Sequence, residues 1–139
     1  MRTLFLLVTI LAIQYSYSQT ADLSLTVTGF ETISGTINIG LYNKADDFPE
    51  ENKEYKLIIE EVRDKEFTYT FKDLPLGEYA IALYHDENKD DECNRNFLGI
   101  PKEGYGFSKN FKPVFSAPSF DDTKFSLTEN KSITINLIY

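Results

Sequence analysis

Seven oxygen-bearing side chains lie within nine consecutive positions of this chain, directly after an apolar run that alternates like a strand. Calcium takes six to eight oxygen ligands, and alternate residues of a tight loop can turn their side chains inward to supply them. The spacing Asp-x-Asn-x-Asp has this alternation. The sequence therefore predicts a Ca²⁺ site formed by five residues, Glu92 through its backbone carbonyl and the others through their side chains: Asp86, Asn88, Asp90, Glu92 and Asn94.

The loop shares only its first five positions with the calcium-loop pattern D-x-[DN]-x-[DN]-G-x5-E. Asp91 stands where that pattern has Gly, and Phe97 stands where it has the bidentate Glu. No flanking helices are predicted, so we expect a shorter loop that is not an EF-hand, with an affinity of about 10⁻⁴–10⁻³ M. A solvated acidic turn without metal is the alternative, because Asp and Asn also favour turns through local hydrogen bonds.

His85 is the only histidine, and it continues the parity of the apolar side chains before it, which predicts a ring that points toward the core. We expect a buried ring whose nitrogens are hydrogen-bonded to loop backbone. The alternative is a hydrolase in which His85 is the general base for Ser108, with Asp86 or Glu103 as the orienting acid. The spacing of these residues does not favour that site, so we expect a protein that is not an enzyme.

Composition limits the possible partners. The chain has a net charge of −8, and removal of Arg2 with residues 1–18 leaves 13 basic and 22 acidic side chains, a net charge of −9. This balance argues against nucleic acid, which needs clustered Lys and Arg, and against an anionic membrane surface. Cys93 is the only cysteine, so no internal disulfide is expected, and one thiol with one histidine is too few for a zinc site.

The first residues have the three-part layout of a secretory signal peptide. Arg2 gives a positive start, an apolar run follows, and small residues precede the expected cleavage near Ser18/Gln19. This layout predicts a signal peptide over residues 1–18 and a secreted or periplasmic single domain over residues 19–139; a buried N-terminal element is the alternative. No later segment is long and apolar enough to span a bilayer, so we expect no stable membrane anchor in the mature chain.

Apolar residues recur at every second position along the rest of the chain, with polar or small residues between them. This period predicts strands with one face toward a core and the other toward water. We expect an all-β fold, an antiparallel β-sandwich of about seven strands. Residues 44–66 fit no single period, and the short turn at residues 129–131 predicts a hairpin between the last two strands. The alternating residues are Leu23, Leu25, Val27; Ile33, Ile37, Ile39, Leu41; Phe67, Tyr69, Phe71; Tyr79, Ile81, Leu83; Phe125, Leu127; and Ile133, Ile135, Leu137, Tyr139.

A long connection over residues 97–120 interleaves aromatic residues with Gly and Pro, which argues against one regular strand. We expect the aromatic side chains to cap an open end of the sandwich. Alternatively, they form a recognition surface for sugar rings or a peptide, since rigid aromatics give large contact areas. The residues concerned are Phe97, Tyr105, Phe107, Phe111, Phe115 and Phe120.

The mature chain, most strongly over residues 74–125, resembles the bacterial family called domain of unknown function 2141. Members look like LP-x-G-x-YA, then HD-x-N-x-NG-x-x-D-x-N, then G-x-P-x-E-x-x-GFS. Two positions depart from this pattern: Asp91 replaces a Gly, and Asn94 replaces an Asp. The resemblance implies a secreted or periplasmic β-sandwich, similar in plan to transthyretin-like and carboxypeptidase-regulatory-like modules, with no known catalytic activity. The corresponding residues are Leu74, Pro75, Gly77, Tyr79, Ala80, His85, Asp86, Asn88, Asp90, Asn94, Asn96, Gly99, Pro101, Glu103, Gly106, Phe107 and Ser108.

These patterns lead us to expect a secreted or periplasmic, non-enzymatic β-sandwich protein. In this interpretation a Ca²⁺-binding loop over residues 86–94 lies next to an aromatic loop that binds a protein or carbohydrate partner. Two alternatives stay open at this point: a hydrolase that uses His85 as its base, and a purely structural component of the cell envelope.

Overall fold

The computed structural model describes residues 19–139, so the signal peptide predicted for residues 1–18 lies outside the described residues. The described residues form eight strands in two sheets that pack together, which confirms the all-β sandwich. There is one α-helical turn, α1 (Phe120–Thr123), and there are two short 3-10 turns (Ala45–Asp47 and Ser108–Asn110). The strands are β1 (Thr20–Thr28), β2 (Thr36–Tyr42), β3 (Lys56–Glu61), β4 (Glu66–Pro75), β5 (Gly77–Asp86), β6 (Tyr105–Phe107), β7 (Phe125–Leu127) and β8 (Lys131–Asn136).

The strands divide into a three-stranded and a five-stranded sheet. The first has the order β4-β1-β8, and the second has the order β3-β2-β5-β6, with β7 also paired to β5. The sheets are antiparallel except where β1 runs parallel to β8, so that Leu23 lies beside Lys131. Residues 44–66, which fit no single period, hold a 3-10 turn and the edge strand β3.

The turn at residues 129–131 connects the two sheets, so the predicted hairpin between the last two strands is wrong. β7 pairs with β5, whereas β8 pairs with β1. The side-chain oxygen of Asn130 accepts the backbone N–H of Asp22 at 2.9 Å, which fastens the turn to the start of β1. A short turn fixes the distance between two strands but not the sheet that each one joins.

The inner faces of both sheets carry the apolar residues that alternate in the sequence. Leu23, Leu25 and Val27 of β1 are fully buried, and each such burial contributes about 1.5–3 kcal/mol relative to exposure. Ile33 departs from this pattern, because it precedes β2 and is 51% exposed. The bend at Gly35, with φ +75°, separates it from the strand.

β2 and β5 have buried residues on both of their faces, unlike β1. At one end of the five-stranded sheet, the outer face is covered by a second apolar cluster that contains Tyr42, Phe48, Ala80 and Phe120. Phe48 packs edge-on against Tyr42 and Phe120, with ring centroids 5.1 and 6.1 Å apart. The loops that cover this sheet position the residues considered next.

Candidate functional site

The acidic loop begins at Asp86, the last residue of β5, which is 0% exposed. Its Oδ1 accepts the backbone N–H of Lys89 at 2.6 Å and of Asp90 at 3.3 Å, and its Oδ2 accepts that of Asp91 at 2.9 Å. An ionised carboxylate has about four acceptor positions, so at most one is left for a cation. Asp86 therefore shapes the turn and offers a metal one lone pair at most.

The other predicted ligands converge on Asp90. The side-chain nitrogens of Asn88 and Asn94 each donate to Oδ2 of Asp90 at 2.8 Å, and the N–H of Glu92 donates to Oδ1 at 3.0 Å. The carbonyl oxygen of Glu92 lies 3.3 Å from the side-chain nitrogen of Asn94. The hydrogen bonds from Asn94 and Asn88 hold the pKa of Asp90 below its ordinary value, so this carboxylate stays ionised into acid.

The donor set at Asp90 limits which ion could be held there. Residues 19–139 contain no group of three or more His, Cys, Asp or Glu side chains placed together for a metal. A cation would therefore need neutral oxygens from Asn88, Asn94 and the Glu92 carbonyl. Half a turn of each amide would bring its oxygen where its nitrogen now lies. Such a mixed set of oxygens suits Ca²⁺ better than a transition metal.

Glu103 holds both ends of the loop, although the spacing of the acidic residues does not include it. It is 7% exposed; its Oε1 accepts the backbone N–H of Glu87 at 3.1 Å, and its Oε2 accepts that of Asn94 at 3.1 Å. Glu103 lies beyond the loop in sequence, so the sequence indicated it only as a family-motif residue and as an orienting acid of the alternative hydrolase, not as a support of this loop. Two buried carboxylates, those of Asp86 and Glu103, thus fix the loop backbone.

The backbone of the loop is left-handed at two positions. Lys89 has φ 60° and Asp91 has φ 63°. This region is open to Gly and costs other residues energy, although Asp tolerates it through local hydrogen bonds. The structure thus explains the Gly that the family pattern has at position 91: Asp91 takes the conformation that a Gly adopts without strain.

His85 is fully buried, as the parity of β5 predicts, and it contacts loop backbone. Its Nε2 lies 2.6 Å from the carbonyl oxygen of Ser34, and its Nδ1 lies 2.9 Å from the hydroxyl of Tyr139. Because a carbonyl can only accept, Nε2 carries a proton and donates to the carbonyl of Ser34. The expected burial of the ring and its bond to loop backbone through Nε2 are confirmed, whereas Nδ1 bonds to a side-chain hydroxyl instead.

Ser108 lies apart from the histidine ring in this network. Its hydroxyl accepts the N–H of Ile81 at 3.0 Å and donates to the carbonyl of Thr123 at 2.7 Å. The carboxylate nearest to the His85 ring is that of Glu87, 3.6 Å from Nδ1. Ser108 and His85, the two main groups of the alternative hydrolase site, are therefore hydrogen-bonded to different partners and not to each other.

The aromatic segment divides into a packed part and an exposed part. Phe107 and Phe120 pack against Phe48, so these residues do cap the outer face of the sheet. Phe97 and Phe115 are 95% and 100% exposed, and three aliphatic neighbours are also exposed: Leu98, Ile100 and Val114. The capping interpretation is therefore confirmed for the packed part, and the recognition surface stays a prediction for the exposed part.

A cleft opens on the outer face of the five-stranded sheet, beside the packed part. It has a volume of about 100 Å³ and adjoins a second cavity of about 200 Å³. Its walls include Tyr42, Glu51, Glu54, Tyr84, Tyr105 and Phe107. Cys93 also lines it, and burial raises the pKa of that half-buried thiol, which lowers its reactivity.

The fold and the loop define an eight-stranded β-sandwich with an acidic connection after its central strand β5. Over residues 25–136 the chain matches a family described as an uncharacterized protein conserved in bacteria, DUF2141, and it belongs to that family. No curated protein and no solved structure matches the chain. Among the residues described, no helix combines the length and the apolar character that crossing a membrane requires.

Proposed function

We propose that this protein is a secreted or periplasmic, non-enzymatic β-sandwich protein whose loop over residues 86–94 binds Ca²⁺ and orders an adjacent partner-binding surface. The observation that carries the proposal is the convergence of Asn88 and Asn94 on one carboxylate oxygen of Asp90, at 2.8 Å each. Three short polar side chains that already meet at one point need only amide rotation to surround a cation. Glu92 adds its carbonyl oxygen, and Asp86 adds at most one lone pair.

Ordering of this loop by a cation would also order the apolar segment that follows it in the sequence. The carbonyl of Asn94 accepts the backbone N–H of Lys102 at 2.8 Å, and Arg95 forms a β-bridge with Pro101. A cation on the Asn94 side chain would thus stiffen the base of a small loop that carries exposed apolar residues. Those residues are Phe97, Leu98 and Ile100.

The exposed apolar residues form the proposed partner surface. Leu98 and Ile100 line the same cavity as Val114 and Phe115, so two loops present their apolar side chains together. Contiguous exposed apolar surface of this kind marks sites of interaction in soluble proteins. The partner is a protein or a carbohydrate, and the acidic balance of the chain argues against nucleic acid.

Thermal unfolding of the purified protein in EDTA and across a calcium titration, with magnesium as the control ion, tests the metal site. For an affinity of about 10⁻⁴–10⁻³ M, about 1 mM Ca²⁺ adds about 0.4–1.4 kcal/mol of stability, which raises the Tm by about 1–5 °C. Asp90→Asn should abolish this rise. Asp46→Asn, which removes the same charge from an exposed turn, should leave it intact.

A calcium response that is equal in the Asp90 variant and the parent would contradict the proposed site. A flat response in the parent protein, together with the absence of any bound partner, would favour the structural envelope component instead. Ester, peptide or glycoside turnover that disappears in His85→Ala would favour the hydrolase.

N-terminal sequencing of the protein recovered outside the cytoplasm tests the signal peptide. The sequence should begin at or near Gln19, and an intact Met1 there would contradict the signal peptide.

A further inference from the structure

We propose that the cleft on the outer face of the five-stranded sheet binds a small organic cation, an ammonium group carried on an apolar body. This inference rests on the proposed function in one respect, because it also takes the exposed apolar loops as a surface that binds a ligand. It goes further by naming the chemical class of that ligand. The floor of the cleft is built from strands, so calcium is not needed to form it. The geometry of its floor, its walls and its charges carries the inference.

The floor of the cleft is made of small residues that face each other across strands. Gly40 of β2 pairs with Ala82 of β5, and Ala82 pairs in turn with Phe107 of β6. A Cβ atom at Gly40 would lie 2.8 Å from the ring of Tyr42 and 2.9 Å from Cγ of Glu54, closer than real Cβ contacts. The absence of a side chain at Gly40 therefore leaves room for the Tyr42 ring and the Glu54 side chain beside the floor.

The walls of the cleft are aromatic on several sides. Because side chains alternate along a strand, Tyr42 and Tyr84 share the outer face with Gly40 and Ala82 and stand on either side of the depression. Tyr105 pairs with Tyr84 and extends the same row. The faces of aromatic rings attract cations, and organic ammonium ions are a common ligand of such surroundings.

Two carboxylates lie above this floor, on the loop between β2 and β3. Glu51 and Glu54 both line the cleft, and the hydroxyl of Tyr42 lies 3.4 Å from Oε1 of Glu54. Burial and the charge of Glu54 raise the pKa of the Tyr42 hydroxyl. Burial disfavours any charge at this place, but the negative charge of Glu54, which disfavours a tyrosinate, favours a bound cation.

Arg95 is the one cationic side chain in the lining, so two carboxylates face one guanidinium. It lies where the cleft meets the second cavity, whose other walls include Leu98, Ile100, Val114 and Phe115. An ammonium group is therefore drawn toward Glu51 and Glu54 and away from Arg95, while the apolar body of the ligand fits the second cavity. An anion of the same shape would meet two like charges.

Isothermal titration calorimetry with three probes of matched shape tests the charge preference: 2-phenylethylammonium, 2-phenylethanol and 3-phenylpropionate. We expect the ammonium probe to bind at least about fivefold more tightly than the alcohol, and the carboxylate probe to bind least. Equal binding of the ammonium and the alcohol would overturn the proposal. Binding of a neutral disaccharide such as cellobiose, without binding of the ammonium probe, would also overturn it.

Charge variants locate the site. Glu51→Gln and Glu54→Gln should each weaken binding of the ammonium probe by about threefold to tenfold, and Arg95→Gln should tighten it. Glu60→Gln is the matched control, because Glu60 is an exposed carboxylate that does not line the cleft. It pairs with Ile37 and so takes the opposite face of β3 from Leu57, which lines the cleft. An effect of the control variant as large as that of the Glu51 variant would overturn the assignment.

The same titrations in EDTA and in about 1 mM Ca²⁺ separate this inference from the proposed function. Ammonium binding that persists while the protein shows no calcium response would contradict the calcium loop and leave the cleft supported. A calcium response without ammonium binding in either condition would overturn the cleft and leave the loop supported.

Discussion

The two sheets of the sandwich have outer faces of opposite character. The outer face of the three-stranded sheet carries hydroxyl side chains that bond to each other, such as Ser24 and Thr70 at 3.1 Å. The outer face of the five-stranded sheet carries Gly40, Ala82 and tyrosine rings, and loops cover part of it. A polar outer face is well solvated by water, whereas a face of small and aromatic residues is suited to contact with a covering loop or a ligand.

The loops follow the same division. The acidic loop and the exposed apolar loops all extend from β5 or β6 of the five-stranded sheet. In β1 the residues between Leu23, Leu25 and Val27 are only partly buried, as the alternation predicts for a water-facing strand. The candidate functions therefore concentrate on one half of the molecule.

The largest effect is expected at Asp86. Asp86→Ala removes the acceptor of three backbone N–H groups in a buried position, so we expect a loss of about 3 kcal/mol in the free energy of unfolding. Urea denaturation measures it, and Asp86→Asn, which keeps one oxygen, should lose less. Thr26→Ala on the water-facing sheet should change stability by less than about 0.5 kcal/mol. Equal losses at the two sites would remove the distinction between the two halves.

A smaller effect is expected at the cleft floor. Gly40→Ala forces the Tyr42 ring or the Glu54 side chain to move, so we expect a loss of about 1–2 kcal/mol and weaker binding of 2-phenylethylammonium. Denaturation and calorimetry on one preparation measure both quantities. Unchanged stability and unchanged binding would show that the floor has room for a methyl group.

A gain in stability is expected at Asp91. Asp91→Gly relieves the left-handed backbone at φ 63°, and we expect a stabilisation of about 0.5–1 kcal/mol in EDTA. Asp46→Gly, in a turn without a left-handed residue, should destabilise instead, since Gly there only adds freedom to the unfolded chain. If both substitutions destabilise the protein equally, backbone strain at position 91 is not the cause.

The smallest expected effect is a difference in how salt changes the pKa values of two carboxyl groups. The ion pair with Lys72 lowers the pKa of Asp22 on the three-stranded sheet, whereas neutral amides of Asn94 and Asn88 lower that of Asp90. Each group therefore stabilises the fold above its unfolded pKa and loses this contribution as the pH falls through its folded pKa. Raising NaCl from about 0.02 to about 0.5 M should move only the pKa of Asp22 back up, because salt screens charges. Carboxyl NMR titrations at both salt concentrations measure this difference.

Local pattern in the sequence predicted the strands, the inner core and the burial of His85, because each depends on which face of a strand a residue takes. It also predicted the residues that meet at Asp90, since they lie within one short loop. The same reasoning could not find Glu103, which joins the loop from beyond a turn. Nor could it find the cleft, whose walls come from β2, β5, β6 and the loop before β3 and meet only through strand register.

The interpretation of outer faces as polar or small was also incomplete for β5. Ala80, Ala82 and Tyr84 alternate with apolar residues in the expected way, yet Ala80 is fully buried. Small side chains are compatible with water and with close packing alike, so alternation does not distinguish the two. The residues that decide the matter, Phe48 and Phe120, lie far away in sequence and reach this face through their loops.

The parallel pairing of β1 with β8 determines when the sandwich can close. Asp22 and Asn130, hydrogen-bonded at the start of this pair, are 108 positions apart in the chain. A polypeptide that emerges N-terminus first leaves one edge of β1 without its neighbour until β8 has appeared. During that interval the open edge is a template for strands of other copies. The time that the chain takes to reach β8 therefore sets how long this edge stays open.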